Sequence, residues 1–169
     1  EFAEKHAGEK LILIGCTDDY ASMIIKNKEY LGKKYITPCT DAALMEDITL
    51  KDRFYQYCEK YDIPYPKTEV ISPGQYPSLL GFEFPVIIKP SSSVLYWKYP
   101  FSGMKKVYRA HSMKEAGVII DEIYASGYPD RLIVQDTIPG GDSYMYTLTA
   151  YCGSDKKVRM MCLGHVLLE

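Results

Sequence analysis

Two lysines occupy positions at which a protein could bind an anion. Lys51 falls in the first turn of a predicted helix, where the macrodipole disfavours a cation by about 0.3–1 kcal/mol, so its ammonium group needs solvent or an anion. Lys89 ends an apolar stretch before a proline, which places its charge at the end of a buried strand, where binding sites in α/β sheets usually open. Together they predict a phosphate site, although two solvated surface lysines would show the same pattern.

The serine-rich loop at residues 91–103 offers further groups to a phosphate. Ser91, Ser92 and Ser93 supply hydroxyls, and backbone amides continue to Gly103. Neither of the glycine-rich phosphate motifs, G-x-x-x-x-G-K-[ST] and G-x-G-x-x-G, occurs in the chain. A surface loop without a ligand also explains the serines and, for the loop taken alone, is the preferred explanation.

A strand that changes from apolar to polar and then turns lies at residues 134–142. The unpaired backbone groups of such a hinge could read the edge of a purine, and Asp142 could accept two hydrogen bonds from a ribose diol. Gly-Gly-Asp is also well suited to an ordinary turn, and taken alone the turn is the better explanation.

The sequence shows no pattern typical of catalytic or metal-binding residues. The adjacent carboxylates at 18/19, 46/47 and 121/122 diverge on a helix and have capping or solvent explanations. No nucleophile has a nearby base, and the histidines and cysteines lack zinc spacing. The catalytic residues are therefore unknown and no metal ligand is predicted. Five cysteines, an odd number without a C-x-x-C pair, indicate reduced thiols and a cytoplasmic protein.

The elements that must position these residues alternate between strands and helices, which predicts an α/β fold. Strands are predicted at 10–15, 35–37, 68–71, 84–90, 105–109, 131–138, 144–152 and 157–168, the last two as an antiparallel hairpin. Helices are predicted at 17–31, 40–46, 50–61 and 112–125. Two S/T-x-x-D/E patterns, at 49–52 and 112–115, predict capping boxes at the last two of these helices.

Composition excludes several classes of protein. The 169 residues include 47% hydrophobic residues, enough for one well-filled core or two small ones. The 20 Lys and Arg against 22 Asp and Glu give a net charge of -2, so no bulk field favours nucleic acid or an anionic membrane. The apolar runs are far shorter than the roughly 20 residues of a membrane span. We expect a soluble protein without a nucleic-acid or membrane partner.

In the order and spacing of its motifs the chain resembles the ATP-grasp superfamily, and is most similar to its carboxylate–amine ligase or D-aspartate ligase branch. The resemblance covers about residues 10–169. It rests on four segments, which are LKDRFYQYC leading to DIPYPKT at 50–68, FPVIIKP at 84–90, GMKKV at 103–107 and LIVQDTIPGGD at 132–142.

This resemblance implies a set of residues that contact ATP. Lys51 and Lys89 are expected to grip the phosphates, and the loop at 91–103 to cover them. At the adenine edge it implies the side chains of Gln135 and Asp136. The full set is Lys51, Lys89, Ser91, Ser92, Ser93, Gly103, Gln135, Asp136, Ile138 through its backbone N–H, and Asp142 at the ribose. Two departures stand out, because the loop lacks the glycine-rich form common in the superfamily and Gln135 replaces a frequent Glu.

The resemblance also implies an enzyme that uses ATP and magnesium to activate a carboxylate as an acyl phosphate, which an amine such as an amino acid then attacks. Residues 1–48 would form the C-terminal part of a Rossmann-like domain, and residues 49–169 a truncated ATP-grasp domain with a lid at about 74–136. The family's magnesium ligands follow the adenine hinge, so we expect this chain to be an inactive fragment of the enzyme. The alternative is a non-catalytic nucleotide-binding or interaction module of the same fold.

Overall fold

The computed structural model describes residues 1–167, except for the side chains of Asp18 and Asp142. Its helices are α1 (Phe2–Lys5), α2 (Asp18–Lys26), α3 (Lys28–Leu31), α4 (Ala42–Thr49), α5 (Lys51–Lys60), α6 (Ser93–Tyr96) and α7 (Met113–Ala125), with a 3-10 turn at Asp142–Tyr144. Its strands are β1 (Thr68–Ile71), β2 (Val86–Pro90), β3 (Tyr108–Ala110), β4 (Leu132–Asp136), β5 (Tyr146–Cys152) and β6 (Val158–His165). The predicted α/β class is confirmed, and none of the described helices is both long and apolar enough to span a membrane.

A four-stranded antiparallel sheet in the order β1-β4-β2-β3 forms the centre of the molecule. Alternate residues of β2 are buried, because Val86, Ile88 and Pro90 face a core that also includes Ile120 and Ile123 of α7. The pleat sends successive side chains to opposite faces, so the half-buried Lys89 lies on the face away from this core.

The strand register determines which side chains share the face of Lys89. Lys89 pairs with Ile133 of β4, and Gln135 pairs with Ile87 of β2 and with Thr68 of β1. Residues directly opposite in a ladder point to the same face, and diagonal neighbours remain within reach of long side chains. The sheet therefore places Lys89, Gln135 and Thr68 together.

The N-terminal region departs from the predicted β-α-β-α piece. The strands predicted at 10–15 and 35–37 are reduced to one parallel bridge between Ile12 and Ile36. Two strands without further neighbours are marginal, which explains why no longer ladder forms. The helix predicted at 17–31 is divided into α2 and α3 at Asn27, and that predicted at 40–46 continues to Thr49.

The two predicted capping boxes have different outcomes. Ser112 Oγ accepts a hydrogen bond from the Glu115 backbone N–H at 3.2 Å, which confirms the first turn of α7. The box at 49–52 is wrong. Thr49 instead ends α4, where its Oγ1 donates to the Met45 carbonyl at 2.8 Å, and α5 begins at the N-cap Leu50 without a side-chain cap. Asp52 therefore does not take part in a capping box.

The loop expected at 91–103 is more ordered than its composition indicated. Ser91 is fully buried, and Ser92 Oγ accepts the Leu95 N–H to cap the short helix α6. Trp97 follows α6 and is 55% exposed. The predicted hairpin is confirmed as β5 and β6, with ends at 146–152 and 158–165. The proposed division at residue 48 and the lid at 74–136 stay predictions.

Candidate nucleotide-binding site

The N-terminus of α5 meets the end of β2 through Lys51. Its Nζ donates to the Ser91 carbonyl at 3.3 Å and to Ser93 Oγ at 3.1 Å. Lys51 is the first residue of α5, where the exposed backbone N–H groups of a helix also favour anions. The structure thus brings one predicted lysine to two of the predicted serines.

A second contact between α5 and the sheet involves Lys89. Its Nζ donates to Tyr55 Oη at 3.3 Å and to Gln135 Oε1 at 2.9 Å, and lies 5.9 Å from the centre of the Tyr55 ring. Lys51 and Tyr55 are four residues apart on α5 and so occupy one face of that helix. One helix face therefore contacts both Lys89 of β2 and the segment that follows this strand.

Gln135 has both ends of its amide engaged within the protein. The side chain is buried, with 5% of the residue exposed. Its Oε1 accepts from Lys89, while its Nε2 donates to Thr68 Oγ1 at 2.7 Å. Thr68 Oγ1 in turn donates to the Pro66 carbonyl at 2.7 Å. Because these partners fix the amide orientation, Gln135 contacts Lys89 and Thr68 before any ligand arrives.

The electrostatics of this region are strongly positive. Burial lowers the pKa of Lys51, and the nearby charges of Lys89 and Lys106 lower that pKa further. Among the residues whose side chains are described, no ion pair joins any of these three lysines to a carboxylate. Cations that lack internal compensation and repel one another are stabilised by a bound anion, and phosphate matches them.

Beneath the lysines lies a buried acid, Asp52, which is 4% exposed. One carboxylate oxygen accepts a hydrogen bond from Ser91 Oγ, and the other, Oδ2, forms an ion pair with Arg131 Nη1 at 2.6 Å, at an angle that does not make a hydrogen bond. Ser91 also donates its backbone N–H to the Arg131 carbonyl at 3.0 Å. These contacts join α5, the end of β2 and the segment that precedes β4.

The remaining predicted residues are more dispersed. Gly103 lies in an exposed loop with a φ of +77°, and a Cβ added to it would meet nothing within 4 Å. Asp136 Oδ1, at the end of β4, is buried without a hydrogen-bond partner in the described part of the chain. Ile138, beyond that strand, is 69% exposed. The prediction for Asp142 concerns a side chain outside the described residues.

Sequence reasoning missed five residues of this region, which are Asp52, Tyr55, Thr68, Lys106 and Arg131. The i, i+4 spacing of Lys51 and Tyr55 could have indicated Tyr55 once α5 was predicted. Lys106 belongs to the GMKKV segment at 103–107, but its position there does not indicate a function. The other three depend on strand register or on contacts between distant segments, for which the sequence contains no local signal.

For metal binding, the residues with described side chains contain no group of three or more His, Cys, Asp or Glu placed to hold an ion. The site as described is therefore a cationic cluster built from lysines, hydroxyls and an amide. Such groups bind and orient anionic groups and stabilise charge on them.

Comparison with known proteins gives one relative in sequence and several in structure. No protein-family model matches the chain. Over 166 residues it is 45% identical to the D-aspartate ligase of Enterococcus faecium (strain Aus0004), an alignment that covers 95% of this chain and 39% of that protein. The chain thus spans well under half the length of this relative.

Two solved structures share the fold at low sequence identity. A D-alanine–D-alanine ligase from Bacillus anthracis matches with a TM-score of 0.57 and 13% identity, over 98% of this chain and 57% of that one. The ADP complex of an N5-carboxyaminoimidazole ribonucleotide synthetase matches with a TM-score of 0.57 and 10% identity, over 93% and 38%. The predicted partial ATP-grasp fold is confirmed, and the comparisons do not favour the non-catalytic alternative. The chain therefore has the ATP-grasp fold in part, and its sequence is similar to that of a D-aspartate ligase.

Proposed function

We propose that the chain is the nucleotide-binding part of an ATP-dependent carboxylate–amine ligase. The observation that carries this proposal is the pair of Lys51 and Lys89 at the junction of α5 and the sheet, neither of which forms an ion pair with a described carboxylate. Keeping cations together in a partly buried region costs free energy that a bound triphosphate would offset. The D-aspartate ligase relative and the shared ATP-grasp fold support ATP as that anion.

In this proposal the lysines hold the phosphates. Lys51 exchanges its contacts with the Ser91 carbonyl and Ser93 Oγ for phosphate oxygens, and the freed Ser93 hydroxyl donates to the same group. Lys89 approaches from β2 while Gln135 and Tyr55 keep its ammonium in place. ATP supplies the phosphoryl group that converts a carboxylate to an acyl phosphate, and the lysines stabilise the charge on that group.

The adenine edge is assigned to residues beyond Gln135, because its amide is already engaged. Asp136, with an unpartnered buried oxygen, and the exposed segment at Ile138 lie at the end of β4. We assign them to the purine, with Asp142 at the ribose. Gln135 then acts on the nucleotide through Lys89.

The chain spans 39% of the length of its D-aspartate ligase relative, and this proposal gives its described residues a part in binding the nucleotide only. We therefore expect the chain alone, given ATP, Mg²⁺ and D-aspartate or other amino acids, to release no more ADP than its Lys89→Ala variant. D-aspartate is the first substrate to test because of the name of the relative. Unpaired thiols at all five cysteines suit a protein of the cytoplasm.

The test compares ATP with adenosine by calorimetry. Each charge-assisted contact contributes about 1.5–3 kcal/mol, so Lys51→Met or Lys89→Met should weaken ATP binding about 10- to 150-fold and leave adenosine binding nearly unchanged. Lys114→Met is the matched control, since Lys114 is exposed on α7. Equal losses for ATP and adenosine, or an equal effect of the control, would contradict the proposal.

A further inference from the structure

Asp52 is a buried acid that nucleotide binding, as proposed above, does not use directly. It follows Lys51 in the first turn of α5, yet it does not cap that helix, because the N-cap is Leu50, whose side chain accepts no hydrogen bond, and the Asp52 carboxylate accepts from Ser91 Oγ rather than from a backbone N–H of α5. Its carboxylate contacts Arg131 and Ser91 instead. An ion whose hydration is removed by burial requires such partners.

All the polar groups of Ser91 are bound by the same small set of residues. Its hydroxyl donates to Asp52, its carbonyl accepts from Lys51, and its backbone N–H donates to the Arg131 carbonyl. Ser91 itself is fully buried at the end of β2. The position of this residue relative to α5 is therefore set by two hydrogen bonds to consecutive residues of one helix turn, and the third bond fixes it against the segment that precedes β4.

The position of Ser91 determines what stands near Lys51. Ser93, two residues further, places its Oγ 3.1 Å from Lys51 Nζ, and Lys89 lies two residues before Ser91 on the same chain segment. A shift of this segment against α5 would move Ser93 Oγ and Lys89 Nζ away from Lys51 Nζ. These are the three groups that are proposed to bind the phosphates together. A displacement of about 1 Å is enough to matter at a site that depends on converging groups.

Stability alone is a weak explanation for the Asp52–Arg131 pair. The Asp52 side chain is 2% exposed but that of Arg131 is 39% exposed, so burial costs Asp52 its hydration while solvent screens part of the attraction to Arg131, and the net contribution to stability is small. In some proteins such a pair instead fixes the relative position of two segments. Here the segments are the helix turn of Lys51 and the strand end that leads to Ser93.

We propose that Asp52 is a positioning residue for the phosphate site, which with Arg131 holds the Ser91–Ser93 segment against the first turn of α5. This inference rests on the proposed function for the identity of the ligand. It assigns Asp52 no contact with the nucleotide, so its effect passes through Ser91 and the segment that follows.

The test uses Asp52→Asn, which keeps the shape of the side chain and an acceptor for Ser91 but removes the charge opposite Arg131. Hydrogen exchange is measured without ligand. We expect the amides of residues 91–96 to exchange about 10-fold faster, while those of residues 86–88 in β2 change less than about 2-fold. A merely structural loss would accelerate both sets alike, and that result, or no change in either, would overturn the proposal.

The second measurement is the affinity for ATP and for adenosine. In Asp52→Asn and in Arg131→Gln we expect ATP affinity to fall about 10-fold and adenosine affinity to be preserved. This is the lower end of the roughly 10- to 100-fold loss seen at metal sites when a residue that orients a ligand is removed, and we apply it here to a residue that orients a phosphate-binding segment. Arg131→Lys, which keeps the charge, should recover part of the loss. Equal losses for both ligands in these variants would overturn the positioning role.

Asp47→Asn serves as the matched control, since Asp47 also forms an ion pair, with Arg53 at 2.9 Å, but at the end of α4. It should leave both measurements unchanged, and an effect equal to that of Asp52→Asn would overturn the proposal. If the chain without substitutions binds ATP no better than adenosine, that result contradicts the proposed function and not the positioning role of Asp52. The exchange experiment would still decide whether Asp52 fixes the segment.

Discussion

Replacing Gln135 by Glu is a sharp perturbation of the site because each atom of the amide has a defined partner. Gln135 Nε2 donates to Thr68 Oγ1 at 2.7 Å, and the single hydroxyl proton of Thr68 is already donated to the Pro66 carbonyl. A carboxylate in the same place would face Thr68 with an acceptor. Either two acceptors remain in contact, or Thr68 turns its proton to the new carboxylate and leaves the Pro66 carbonyl without a donor.

The magnitude follows from these contacts. Leaving one buried polar group unpaired costs about 1–3 kcal/mol, and the low exposure of position 135 adds a desolvation cost for the new charge. Attraction to Lys89, whose Nζ lies 2.9 Å from Oε1, offsets part of this sum. We expect Gln135→Glu to lower the free energy of unfolding by about 1–3 kcal/mol at neutral pH.

The assay is a double-mutant cycle with Thr68→Val, followed by urea denaturation. When Thr68→Val is already present, no hydroxyl opposes the carboxylate, so Gln135→Glu should cost at least about 1 kcal/mol less than in the unchanged chain. Thr68→Val alone is destabilising, because it removes the acceptor of Gln135 Nε2. Additivity of the two changes within about 0.5 kcal/mol would refute the assigned amide orientation and the reasoning built on it.

Two further predictions concern the sheet and the pH dependence of stability. Ile88→Ala removes a fully buried side chain from the core of the sheet and should cost about 2–5 kcal/mol in urea denaturation, whereas Val94→Ala, at a residue 67% exposed, should change stability by less than about 0.5 kcal/mol. The hydrogen bond to Glu59, and then burial, raises the pKa of Tyr65 to about 12, so its contribution to stability is complete below about pH 10 and is lost as the pH rises towards about 12. Glu59→Gln should lower the pKa of Tyr65 in a tyrosinate absorbance titration and weaken that loss, and an unshifted titration would contradict the assignment.

The two capping patterns show where local sequence stops being informative. Ser112-x-x-Glu115 and Thr49-x-x-Asp52 look alike in the sequence, and only the first caps a helix. Local hydrogen bonds decide the outcome at Ser112. At Asp52 the orientation of the carboxylate is determined by Arg131, which is distant in the sequence and becomes adjacent only after the sheet has formed.

The positions of the site residues within their helix or strand were predictable, but the contacts between them were not. Helix and strand periodicity placed Lys51 at a helix start and Lys89 at a strand end, and the structure has both there. The contact between Lys89 and Gln135 requires β4 to lie next to β2, and that between Gln135 and Thr68 requires β1 on the other side of β4. Nothing in the sequence specifies that order, because the pleat of each strand only divides its residues between two faces. Whether these residues bind ATP stays a prediction.

The position of Trp97 gives the chain an optical reporter of its own. It is the single tryptophan, it is 55% exposed, and its backbone N–H donates to the carbonyl of Ser93 at 3.3 Å. Its indole lies 6.0 Å from the ring of Tyr96, one of 16 tyrosines that can transfer excitation energy to it. Any ligand that displaces α6 changes the polarity around this one fluorophore, so emission from the unlabelled chain follows events at Ser93 in real time.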